Sequence, residues 1–79
     1  MSESLAKSLA DSYWPEVKRW ALAHPKSNPF RTGHVFLWIE NELERVQDTG
    51  RWSRTDIAKL AVEMLKERVK ELRLNLKGE

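Results

Sequence analysis

Few residues in this 79-residue chain have types and spacings that suggest chemistry. His24 and His34 flank a proline-containing loop, with no cysteine and no cluster of acids beside them. A zinc site needs three or four ligands, so the histidines do not read as one. No serine, histidine and carboxylate fall at a spacing that would activate a nucleophile, and no glycine-rich phosphate loop exists. The chain therefore reads as non-enzymatic, with no cofactor, no metal and no small-molecule substrate. The clearest binding signal is Arg51-Trp52-Ser53-Arg54, at the start of a long amphipathic segment. Free N–H groups, the positive end of a helix dipole, two guanidinium groups and a hydroxyl would suit a phosphate there. Trp52 would stack or wedge against a base or sugar. Arg51, Trp52, Arg54 and Lys59 are the candidate contacts to nucleic acid or a partner. The plainer reading has Ser53 capping, Trp52 covering the core beneath a loop, and both arginines in solvent.

The element that must position these residues is the segment from Ser53 to Leu72. Ile57, Leu60, Ala61, Met64, Leu65, Val69 and Leu72 recur at intervals of three and four, which places them on one side of an α-helix. Ser53 can accept from the orphan N–H groups of the first turn, and Asp56 is the acidic variant of a capping box. Lys59, Glu63, Lys66, Glu67 and Lys70 offer ion pairs on the solvent side, each worth a few tenths of a kcal/mol. Beyond Leu72 the pattern alternates strictly through Lys77, as a frayed helical extension or a short extended segment would.

Two further helical segments are predicted. In residues 3–23, Leu5, Ala6, Leu9 and Ala10 form one apolar side and Trp14, Val17, Trp20 and Ala21 another. Pro15 lies between them, and an uninterrupted helix through a proline costs about 3 kcal/mol. A break near residues 12–15, with Ser12 capping the second piece, is expected; a kinked continuous helix competes with it. Residues 24–31 form a loop, because Pro25 and Pro29 push their predecessors out of the helical region. Phe30 is expected to plug the core from this loop. A helix over residues 33–48 follows, capped by Thr32 and closed by Gly50. Its inner stripe is Val35, Trp38, Ile39, Leu43 and Val46. Val35 to Ile39 alone also fits a strand, but the glutamates that follow at helical spacing favour helix. The expected architecture is an all-α three-helix bundle with a long C-terminal helix.

A core this small contributes roughly 3–5 kcal/mol of net stability, so small domains usually add a staple. With no cysteine, none can be a disulfide. Four tryptophans are the visible compensation. Three are expected in the core, with Trp52 and Trp14 the candidates for exposure. Trp14 and Phe36 are the candidate interface aromatics. Net charge is +2, distributed as +2 over residues 1–31, −3 over 32–50 and +3 over 51–79. The N-terminus lacks the pattern of a signal peptide and no apolar run approaches a membrane span, so a cytoplasmic location is expected and no membrane partner. The basic face of the last helix is interleaved with Glu63, Glu67 and Glu71, which reads better as a solvated, ion-paired face than as a DNA-binding one.

Leu43 to Arg68 resembles the helix–turn–helix half of ribbon–helix–helix proteins, and is most similar to antitoxins of the ParD type. Gly50-Arg51-Trp52 followed by Ser53 matches that family's turn and cap. The resemblance implies a small DNA-binding regulator. That family reads DNA with a polar β-ribbon before its first helix, where this chain has the apolar run Val35 to Ile39. No base-contacting residue is therefore carried over. Two functions are expected. The first is a protein-interaction or adaptor module, such as a small phage- or plasmid-type regulator, acting on another protein or as a homodimer. The second is a DNA-binding transcriptional regulator that uses the basic C-terminal third.

Overall fold

A computed structural model describes residues 2–31, 33–46 and 51–77. They form three α-helices: α1 (Ser2–Ala23), α2 (His34–Leu43) and α3 (Arg54–Lys77). No strand occurs among the described residues, and Val35 to Ile39 lies within α2. The expected three-helix bundle is what the sequence folds into.

α3 is the central rod. Ile57, Ala58, Ala61, Val62, Leu65 and Val69 are buried along one side, and Leu60, Met64 and Leu72 pack at its margins. Its start is capped as the sequence indicates. The Asp56 N–H donates to the Ser53 hydroxyl oxygen at 3.0 Å, and the Ile57 N–H donates to the Ser53 carbonyl at 3.1 Å. The alternating tail is helical to Lys77, with Leu74 and Leu76 on the surface. The extended-segment reading is thus excluded for it.

The direction of the other helices follows from two arginines of α3. Arg73, near its end, donates to the carbonyls of His24 and Ser27, just beyond the end of α1. Arg54, at its start, donates to the carbonyl of Leu43, the last residue of α2. α1 therefore runs in the same sense as α3, and α2 runs against both.

α1 is continuous from Ser2 to Ala23, with Pro15 inside it. The break expected at residues 12–15 does not occur, and Ser12 is an interior residue rather than a cap. Ala6, Leu9 and Ala10 before the proline, and Val17 and Ala21 after it, are all buried in one core. Burying both halves against α3 offsets the cost of the proline. Pro15 and Asp11 are both exposed, so the carbonyl that the proline leaves without a donor is open to water.

α2 is shorter than expected. It ends at Leu43, where the N–H groups of Arg45 and Val46 bond to Glu42 and Leu43 in a tightened last turn. Its cap position is held by Gly33, whose φ of 75° lies in the left-handed region. The expected caps Thr32 and Gly50 fall outside the described residues.

The tryptophans depart most from expectation. Trp20, Trp38 and Trp52 are each 40–42% exposed, and Trp14 is half-buried. None is a core residue. Ala6 and Ala10 of α1 and Ala58 and Ala61 of α3 are fully buried, and helices that meet through alanines leave no room for an indole between them. Phe30 does pack against the core from the loop, as expected. Among the described residues no helix is long and apolar enough to cross a membrane.

Candidate interaction site

α1 and α2 each pack along α3 but make little contact with each other. They are bridged at one level, where the Tyr13 and Trp38 rings stack with centroids 6.4 Å apart and an interplanar angle of 23°. The Tyr13 hydroxyl also donates to the Trp38 carbonyl at 3.4 Å. Burial, then the negative charge of Glu42, pushes the Tyr13 pKa above its ordinary value of 10.0.

From that bridge towards the loop the two helices separate around a groove of about 530 Å³. Glu16, Val17 and Trp20 of α1 form one wall, and His34, Val35 and Trp38 of α2 form the other. Lys26, Asn28 and Arg31 of the connecting loop close the end. The loop is anchored by Arg73 and by Phe30, and tightened by a bond of its own. Arg73 holds the His24 and Ser27 carbonyls at 3.1 and 2.7 Å. The Asn28 side-chain oxygen accepts from the Phe30 N–H at 2.9 Å, and Phe30 itself packs on the core. The Trp20 indole is steadied by His24, whose ring lies 4.7 Å away at a tilt of 46°.

The lining is two large aromatics with a basic lip. Lys26 and Arg31 stand against one acid, Glu16. Ser27 and His34 both line the groove, but no hydrogen bond among the described residues links the serine hydroxyl to the imidazole. Nor do the described residues include three potential metal ligands in one place.

No family model matches the chain, and none of the curated proteins or solved structures does.

The structure distributes the sequence-derived candidates differently from the groove. Arg51 and Trp52 are exposed before α3, and Lys59 is exposed on its surface. Arg54 is exposed as well, with its Nε donating to the Leu43 carbonyl at 3.1 Å. Trp14 is half-buried beneath the Arg68 guanidinium, 6.0 Å from its ring centroid, and Phe36 packs against the core. Neither is the most exposed aromatic of its helix; Trp20 and Trp38 are. Helical spacing alone places those two in the core. The signal that could have found them is the lack of any acid from Val17 to Ile39, which sets apart the stretch where they lie.

Proposed function

We propose that this protein is a non-enzymatic interaction module that acts by binding a protein, either another chain or its own copy. The observation that supports this reading is the pair Trp20 and Trp38, each about 40% exposed on opposite walls of one groove. Tryptophan dominates binding energy at interfaces because a rigid, amphipathic ring buries much area at little entropic cost.

The second reading, a DNA-binding regulator, rests on the basic C-terminal third and on the resemblance to ribbon–helix–helix proteins. Of that third, Arg54, Arg68 and Arg73 are engaged by Leu43, Asp11 and the His24–Ser27 loop. Arg51, Trp52 and Lys59 are left at one end, and Lys66 and Lys70 line a more open hollow near the other.

A photo-reactive phenylalanine analogue in place of Trp38, in the cells that make the protein, tests the first reading. A covalent adduct with a protein, foreign or identical, is the expected result. No protein adduct at that position, together with a salt-dependent shift on duplex DNA, overturns it in favour of the second.

A further inference from the structure

The α1–α2 hairpin is electrically bipolar. Its loop half, residues 17–39, carries Lys18, Arg19, Lys26 and Arg31 and no acid. Its other half, residues 2–16 and 40–46, carries Glu3, Asp11 and Glu16 on α1, Glu40 and Glu42 on α2 and Glu44 just beyond it, against Lys7 and Arg45; of these acids, Asp11 and Glu40 bond Arg68 and Thr55 of α3. Because α2 runs against α1, the sequence stretches of each sign lie at the same end of the hairpin. The positive pole is the loop end, and the negative pole is where Tyr13 meets the Glu42 end of α2. Between the poles the helices expose Trp20 and Trp38.

Resting on the interaction-module reading, we infer that the partner at this groove is a second copy of the chain, docked antiparallel on the α1–α2 face about a two-fold axis. A two-fold axis across the hairpin brings each positive pole over the partner's negative pole. This is the self-complementarity that an isologous interface requires. Lys26 and Arg31 of one copy then approach Glu16 and Glu42 of the other, and the four groove tryptophans meet near the centre. Aromatic anchors inside a charged rim are the usual anatomy of an interface. The size is adequate. The molecule measures 43 × 22 × 16 Å along its principal axes, so a face along its long axis is of the order of the roughly 800 Å² per partner of a standard interface. A foreign acidic peptide would satisfy the positive pole alone and leave Glu16 and Glu42 opposed to its charge.

Sedimentation equilibrium of the full chain tests the inference. A dimer is expected whose dissociation constant rises with salt, because rim charges are screened. Trp38→Ala should weaken it about tenfold or more, with helix content by circular dichroism unchanged. The double reversal Lys26→Glu/Arg31→Glu should give a monomer. Adding Glu16→Lys/Glu42→Lys in the same chain should restore the dimer. Equimolar mixing of the two double variants, each monomeric alone, should instead give a complex of two unlike chains that strengthens as salt falls. A wild-type chain that stays monomeric up to roughly 1 mM overturns the inference, as does a dimer indifferent to both reversals. A monomer whose Trp38 probe still captures a foreign protein leaves the interaction-module reading standing without this partner. A monomer that gains mass with duplex DNA assigns the positive pole to nucleic acid.

Discussion

The Arg68 guanidinium lies 2.6 Å from the Asp11 carboxylate, bridging α3 and α1 across a sequence separation of 57 residues. The same guanidinium carbon stands 6.0 Å from the Trp14 ring centroid. One side chain thus serves an ion pair and a cation–π contact, and it covers the indole next to the interior proline. Arg68 is the more buried partner, with 27% of its side chain exposed against 55% for Asp11.

Because the pair is partly solvated, its energy is modest. Asp11→Ala should cost about 0.5 kcal/mol. Arg68→Ala should cost more, about 1–1.5 kcal/mol, since the contact with Trp14 goes too. A double-mutant cycle in urea measures the coupling, which should shrink in high salt while the Trp14 contribution persists.

Pro15 offers a test in the opposite direction. It is exposed within a continuous helix, so alanine there can restore a backbone hydrogen bond without opening a cavity. Pro15→Ala should stabilise the protein by about 1–3 kcal/mol, read as a higher urea midpoint at unchanged slope. A loss of stability would mean that the bundle depends on the geometry the proline imposes.

Arg73 fastens the loop that closes the groove. Its Nη2 donates to two carbonyls, at 3.1 Å to His24 and 2.7 Å to Ser27. Arg73→Ala should cost about 1–2 kcal/mol and speed amide exchange in residues 24–28. Both bonds come from one nitrogen, and a lysine ammonium also carries several donors, so Arg73→Lys should recover part of the loss.

Tyr13 gives a pH dependence of known sign. It is the one tyrosine in the chain, so the phenolate absorbance reports it alone. Its folded pKa lies above the unfolded 10.0, raised first by burial and then by Glu42. The unfolded chain therefore ionises first as pH rises. Stability is fully present below pH 10.0 and declines as pH climbs through 10.0 towards the folded pKa. Tyr13→Phe should flatten that alkaline decline. An unfolding free energy equally pH-dependent in the variant would assign the effect elsewhere.

Much of the bundle was legible in the residues. The stripe from Ile57 to Leu72 identified α3, and Ser53 marked its start to the residue, because capping and periodicity are local properties that neighbouring residues decide. The glutamates following Ile39 correctly favoured helix over strand. The candidate site was legible only in fragments. Arg51, Trp52 and Lys59 are exposed as anticipated, but helical spacing consigned Trp20 and Trp38 to the core. Periodicity says which side a residue shares, and not whether a neighbouring helix covers it.

What the sequence determined by itself is the set of helices, their apolar sides and the absence of recognisable catalytic spacing, since these depend on residues within a few turns of one another. The tertiary structure decided three things. Contact with α3 carried α1 through Pro15, because burial on both sides of the proline offset a local penalty. Alanine-lined packing left no room for an indole between α1 and α3, because small buried residues bring helices close. And the antiparallel run of α2 gathered charges distant in the chain into two poles, because only the path of the backbone sets which ends lie side by side.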